Sequence, residues 1–285
     1  MSRGRRAVVF GETVVDLYPD EEEVVAGSPL HVAAHLARAG WRVWLVTRIG
    51  RDRRGDRIRA AVEAQGIDAS LVEVDPELPS GSVTVEARGE TNAFRIHRPA
   101  AWDRLAGPGS LPEHDAFSYG TLVGRSPTAR ATLARLLRRS RARHRVLDLN
   151  LRPPDVDAGV LRATLASATA VKMSEEELDH AGGLLRLAPS PARFLQALPH
   201  LEWLCITRGA RGAELHGRSG SARIGAPRVP VVNTVGAGDA FAAGLIDGLS
   251  RGAPPEETLA TARAWAASVL GRRGALPEPA DGALG

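Results

Sequence analysis

Short β-branched and apolar runs alternate along the chain with stretches in which apolar residues recur every three or four positions. "RAVVFG" reads as a first strand, "HVAAHLARAG" as a helix stopped at Gly40, and "WRVWLVTRIG" as the next strand. In "RRGDRIRAAVEAQG", Ile58, Ala61, Val62 and Gln65 share one side of a helix that Gly66 ends. The rhythm then changes. From "IDASLVEVD" through "GSVTVEARGETNAFRIHRP" the runs are short, alternating and joined by turn residues, with "ARGETN" a hairpin tip, so a small inserted antiparallel sheet is expected. Beyond residue 114 the alternation resumes with "AFSYG", the helix "SPTARATLARLLRRSRA", "RVLDLN", a helix over about 158–167, "TAVKMS", "SEEELDHAGG" and "WLCITRG". "VVNTVGAGDAFAAGLIDGL" and "PPEETLATARAWAASVL" complete the series.

Alternating βα units predict an α/β fold, a mostly parallel central sheet with helices on both faces, here with a small β-sheet lid. Ligands of such sheets gather beyond the carboxyl ends of the strands. The sequence has no internal repeat, low-complexity tract or interdomain linker. One domain over 1–285 is therefore expected, its lid formed by segments around 12–30 and 68–100.

With 285 residues, 44% apolar and 25% charged, the chain has enough material for a large core. Its one cysteine, Cys205, excludes an internal disulfide and reads as a core thiol inside "WLCITRG". The apolar run before Gly11 is too short for a signal peptide and nothing approaches a membrane span, so a cytoplasmic protein without a membrane partner is expected. The net charge of +4 raises the question of nucleic acid. Its densest basic cluster, Arg135, Arg138, Arg139, Arg141, Arg143 and Arg145, fits a solvated helix face, and aromatic residues do not interleave with it. No nucleic-acid partner is expected.

"VVNTVGAGDAFAAGLIDGL" carries the chemistry. Phe241, Leu245 and Leu249, with Ala242 and Ile246 beside them, make one apolar helix face that begins at Gly238. The glycines thus stand at a helix N-terminus, where backbone N–H groups and the macrodipole attract anions. Asp239 in the first turn fits either an ordinary cap or a carboxylate placed beside a phosphate for a purpose. A Walker A loop is excluded, because the chain's single lysine, Lys172, follows Val171. A dinucleotide fingerprint would need a third glycine where Phe241 stands.

"NTVGAGDAFAAGL" resembles the Asp-Thr-x-Gly-Ala-Gly-Asp signature of the PfkB, or ribokinase-like, carbohydrate kinases. The likeness runs along nearly the whole chain: "VVFGETVVDL", "TRIGRDRRGDRIRAAVEAQGID", "VLDLNLRPP", "VKMSEEEL" and "CITRGARGAEL" are similar to the family's segments in order. "GETVVDLYP", "DLNLRPP" and "KMSEEEL" place it nearest the fructokinase and 2-keto-3-deoxygluconate kinase branch. The resemblance implies ATP-dependent transfer of the γ-phosphoryl group to a primary hydroxyl of a small sugar or sugar acid. Asp239 would be the catalytic base, and Gly236, Ala237 and Gly238 the anion hole. Asp16, Gly27, His31 and Arg98 would bind the sugar. Lys172, Glu175, Thr207, Gly209 and Gly212 would bind ATP, and Mg2+ would be held by nucleotide and water, with Glu175 the candidate protein contact. A lone lysine among 37 basic residues independently suggests a site for a compact ammonium.

Three departures from the family pattern stand out. The Gly-Gly-x-x-x-Asn sugar segment becomes "AGSPLH", with Ala26 for the first glycine and His31 for the asparagine. Asn233 replaces the signature's first aspartate, which weakens the case for a bound monovalent cation. Trp265 lies on the helix that flanks adenine in the family, although its spacing also fits a core position. These departures motivate an alternative, a non-catalytic sugar- or nucleotide-binding regulator on a kinase scaffold. An exposed small sheet also offers a homodimer through the lid.

Overall fold

The computed structural model describes residues 4–19, 22–88, 91–152, 155–218, 220–232, 234–271 and 274–277. Their strands are β1 (Arg6–Phe10), β2 (Val14–Leu17), β3 (Glu23–Ala26), β4 (Arg42–Gly50), β5 (Val72–Asp75), β6 (Gly81–Arg88), β7 (Thr91–Ile96), β8 (Ala116–Gly120), β9 (His144–Asp148), β10 (Ala170–Ser174), β11 (Trp203–Thr207), β12 (Ala213–Gly217) and β13 (Gly220–Ile224). The helices are α1 (Ser28–Arg38), α2 (Arg53–Ala64), α3 (Pro127–Arg139), α4 (Ala158–Leu165), α5 (Glu175–Leu185), α6 (Pro191–Ala197), α7 (Ala237–Ser250) and α8 (Pro255–Leu270).

A large sheet runs in the order β13-β12-β11-β10-β9-β8-β1-β4-β5. Its strands from β11 to β5 pair in parallel, and the hairpin β12-β13 adds antiparallel strands at one edge. The apolar runs of β1 explain its central place. Val8 and Phe10 enter one buried layer, Ala7 and Val9 the other. A strand buried on both faces reads as a continuous apolar run. The first layer is closed by α3, α4, α5 and α6 through Leu133, Leu136, Leu161, Leu178 and Phe194. The second is closed by α1, α2, α7 and α8 through Leu30, Leu36, Ile58, Leu245 and Leu259. Each such fully buried side chain contributes about 1.5–3 kcal/mol. The expected α/β architecture is the observed one.

The small sheet, β3-β2-β6-β7, differs from expectation in two respects. It is not purely antiparallel, since β2 and β6 pair in parallel from Val14↔Gly81 to Leu17↔Thr84. Moreover, "VEVD" at 72–75 leaves it and extends the large sheet beside β4. Sequence alternation marks a strand but does not choose its partner, which depends on where the preceding helix returns the chain.

Helix starts divide into two kinds. Asp52, Ser126, Asp157, Ser174 and Ser190 cap α2 to α6 with their own side chains. By contrast, α8 begins at Pro254, and α1 and α7 begin at the glycines Gly27 and Gly236, without any side-chain cap. The two glycine starts face one another across the site. Two arginines of the basic cluster are engaged locally: Arg135 donates to the carbonyls of Ala106 and Pro108, and Arg139 to that of Gly109. Among the described residues, no helix is long and apolar enough to cross a membrane.

Candidate active site

Two cavities lie beyond the carboxyl ends of the parallel strands and meet at the start of α7. The smaller, about 510 Å³, is lined by Glu12 after β1, by Asp16 of β2, by Gly27, Ser28 and His31 of the α1 start, by Asn150 and Arg152 after β9, by Lys172 of β10 and by Asp239. Val14, Val83, Phe94 and Ile96 of the small sheet wall it on another side. The larger, about 1250 Å³, lies between the hairpin side and α8, against Thr207, Gly209, Gly212, Phe241, Ala266 and Leu270. Thr234 and Gly238 line both.

Glycine is required where each of the two helix starts meets the smaller cavity. Gly27 has φ +125°, and a Cβ there would stand 2.8 Å from the carbonyl oxygen of Glu12. Gly236 has φ +83°, and its Cβ would fall 2.4 Å from that of Ala275. Together they bring these two uncapped helix starts close to the cavity. The Ala237 N–H is used within the turn, on the Thr234 carbonyl at 3.2 Å.

Asp239 opens onto the smaller cavity, and both its oxygens are engaged. Ser28 Oγ donates to Oδ1 and His31 Nδ1 pairs with Oδ2, each at 2.7 Å. Burial alone would raise the pKa of Asp239. The His31 and Ser28 hydrogen bonds, with the nearby Lys172 charge, bring it below the ordinary carboxylate value.

Lys172 Nζ lies 3.0 and 3.1 Å from the two oxygens of Asp148, with both side chains buried. Burial opposes the ammonium charge, but Asp148 and the acids around it hold its pKa above the ordinary value. The ammonium stands 3.2 Å from where a Cβ of Gly238 would be, so it borders the shared loop. Glu177 Oε1 accepts from the Leu151 N–H and Oε2 from that of Ser174, which fastens the segment after β9 to the start of α5.

Two further carboxyls are pushed upward. Burial raises Asp16 to about 6, with His31 opposing. Burial raises Glu12 to about 7, with Arg152 opposing, and its Oε2 has no hydrogen-bond partner among the described residues. Cys205 is buried and its thiol is pushed up to about 12, as a core thiol should be.

The structure therefore gathers Gly236, Gly238, Asp239, Asp16, Gly27, His31 and Lys172 around one cavity, and Ala237, Gly238, Thr207, Gly209 and Gly212 around the other. Arg98 and Glu175 line neither. Arg98 pairs with Asp155, and Glu175 is held between Arg208 and Arg211. Trp265 packs partly buried against the core and does not line the larger cavity, although Arg263, Ala266 and Leu270 of the same helix do. Asn233 lies outside the described residues. Glu12, Ser28, Asp148, Asn150 and Arg152 join the site although no role is expected of them individually from the sequence. Each has a signal in hindsight: a charge directly after an apolar strand, a hydroxyl one helical turn before His31, and polar residues alternating through "DLNLR".

A doubly covered parallel sheet thus carries an acid-lined cavity and a larger cavity that meet at a glycine-bounded helix start. The pattern of the pfkB family carbohydrate kinases matches residues 5–281, and the chain belongs to that family. A fructokinase from Klebsiella pneumoniae is 32% identical over 300 residues, covering 97% of this chain and 94% of that protein. A 2-dehydro-3-deoxygluconokinase from Thermoproteus tenax is 30% identical over 278 residues, covering 91% and 84%. Among solved structures, aminoimidazole riboside kinase from Salmonella enterica, complexed with aminoimidazole riboside and an ATP analog, superposes with a TM-score of 0.80 at 27% identity over 96% of this chain and 97% of that one. The fold is shared too with fructokinase with bound ATP from Xylella fastidiosa, at TM-score 0.82, 22% identity and coverage of 95% and 94%. The chain is a carbohydrate kinase, a phosphotransferase with an alcohol acceptor. The alternative of a non-catalytic regulator is not favoured.

Proposed function

We propose that the chain phosphorylates a primary hydroxyl of a small neutral sugar of the fructose type, with ATP in the larger cavity and the sugar in the smaller. The observation that carries this reading is the meeting of the two cavities at Thr234 and Gly238, beside Asp239. Three carboxyls, Glu12, Asp16 and Asp239, line the smaller cavity against two cations, Arg152 and Lys172, the second already paired with Asp148, and this balance suits the hydroxyl donors of a neutral sugar better than the carboxylate of a sugar acid. The 32% identity to a fructokinase supports the same choice.

In the reaction the acceptor hydroxyl gives its proton to Asp239 while its oxygen bonds to the γ-phosphorus. The bond from that phosphorus to the bridging oxygen breaks, and ADP leaves. The first turn of α7 and the Lys172 ammonium stabilise the charge on the transferring group, because phosphoryl transfer depends mainly on positioning and electrostatics. The small sheet covers the sugar and excludes competing water. Thr207, Gly209 and Gly212 line the nucleotide side. Arg98, exposed and tied to Asp155, is assigned to that ion pair and not to the sugar.

Mg2+ enters with the nucleotide. Phosphate oxygens and water would hold it, with Glu175, now paired with Arg208 and Arg211, the candidate protein contact. When bound, such an ion would supply charge neutralisation on the phosphates.

Asp239→Asn tests the reading. Sugar-dependent ADP release should fall by a factor on the order of 10²–10⁴ while ATP still raises the melting temperature. Near wild-type turnover in that variant would remove Asp239 from the base role.

A further inference from the structure

Asp239 is not a free carboxylate reaching into a cavity. Ser28 and His31 stand three residues apart in the first turn of α1 and so share a helix face, which looks across to the first turn of α7. Helix α1 has no side-chain cap and no acidic residue in its own first turn. The charge that complements its positive end is Asp239, which arrives from the other helix. Ser28 Oγ donates to Oδ1 at 2.7 Å and His31 Nδ1–H donates to Oδ2 at 2.7 Å, the tautomer that an ionised carboxylate requires. His31 is 5% exposed, so its ring has little room to move away.

We propose that Ser28 and His31 form a positioning clamp on Asp239, and that His31 serves the base and not the sugar directly. The inference rests on Asp239 being the base. A carboxylate swings broadly about its terminal torsion unless something stops it. With one lone pair of Oδ2 taken by His31 and one of Oδ1 by Ser28, each oxygen keeps a single lone pair in a fixed direction, and the acceptor hydroxyl must donate along one of these two. Both bonds also weaken Asp239 as a base, because they favour its ionised form. That exchange of basicity for orientation suits phosphoryl transfer, in which the enzyme contributes placement more than proton affinity. Both clamp residues lie in "AGSPLH", the segment that departs most from the family pattern. The departure is then a replacement of one polar arrangement by another, with the hydroxyl of Ser28 and the imidazole of His31 acting as a pair.

The test compares His31→Ala, His31→Asn, Ser28→Ala and Asp239→Asn in steady-state assays with ATP and fructose, and follows sugar-independent ATP hydrolysis in each. His31→Ala should lower kcat by about 100-fold, the scale of a misplaced reacting group, with KM for ATP unchanged. His31→Asn, whose amide N–H can still donate to Oδ2, should recover most of that loss. Ser28→Ala should lower kcat less, and should raise hydrolysis relative to transfer, because an unheld Oδ1 can activate water. A merely structural role would shift stability and KM for ATP together and would not separate Asn from Ala. If His31→Ala fails to fold, Ser28→Ala and His31→Asn decide the matter by the same readouts. Wild-type kcat in Ser28→Ala and His31→Ala beside an inactive Asp239→Asn overturns the clamp alone. A rise confined to KM for fructose, with kcat intact, overturns it in favour of a sugar ligand. An active Asp239→Asn overturns instead the reading on which the clamp rests.

Discussion

Glu12→Gln should stabilise the folded chain above neutral pH and do progressively less as the pH falls. Glu12 is 6% exposed, and its Oε2 meets no hydrogen-bond partner among the described residues. Burial lifts its pKa from 4.5 to about 7, against its own backbone N–H and the charge of Arg152. At about 1.4 kcal/mol per pH unit, ionising this carboxyl costs the fold about 3 kcal/mol. The sign follows from which state binds the proton more tightly. Below pH 4.5 the carboxyl is protonated folded or unfolded, and it imposes no ionisation cost. As the pH rises towards 7 the unfolded chain loses the proton first, so wild-type stability drains away, and above about 7 the full cost stands. Glutamine cannot ionise and escapes this loss. Urea unfolding of both proteins between pH 4 and pH 8 measures it, because the other titrating groups largely cancel in the difference. The expected curve is a gain for the variant that grows by about 3 kcal/mol between pH 4.5 and pH 7 and then levels. A pH-independent difference, or one that shrinks as pH rises, would refute the burial assignment. The steric exchange of O for NH₂ adds only a constant offset.

Two other substitutions probe neighbouring parts of the site. Asp148→Asn removes the partner of a buried ammonium and should cost about 3–5 kcal/mol by chemical denaturation, with Lys172→Met in the same chain restoring part of it; a loss under about 0.5 kcal/mol would show that Lys172 finds its charge balance elsewhere. Arg98→Ala should leave KM for the sugar unchanged, since the guanidinium is occupied by Asp155 and lies off the cavity, whereas a large rise in KM would return Arg98 to the sugar site.

Much of this protein is local and therefore readable in one dimension. The apolar runs of β1 and β4, the periodic faces of α7 and α8, and glycines at the mouths of α1 and α7 follow from backbone sterics and the separation of oil from water, which act over a few residues. The same holds for the helix start at "GAGD", whose positive dipole end has no capping side chain of its own. Other features had no local signal. "VEVD" looked like part of the small sheet, yet joined β4, because strand partners are chosen by chain return and not by alternation. Glu175 looked like a free carboxylate near the nucleotide, but Arg208 and Arg211, 33 and 36 residues away, hold it.

The division is sharpest at Asp239. Its residue type and its place in the first turn of α7 belong to the sequence. That its two oxygens are held by Ser28 and His31, 211 and 208 residues earlier, belongs to the tertiary structure. So do the orphaned carboxylate oxygen of Glu12 and the buried pairing of Lys172 with Asp148. Short-range forces write helices, turns and caps into the order of residues, whereas the burial and pairing of charge depend on which distant segments packing brings within about 3 Å of one another. Those contacts exist only once the chain has folded.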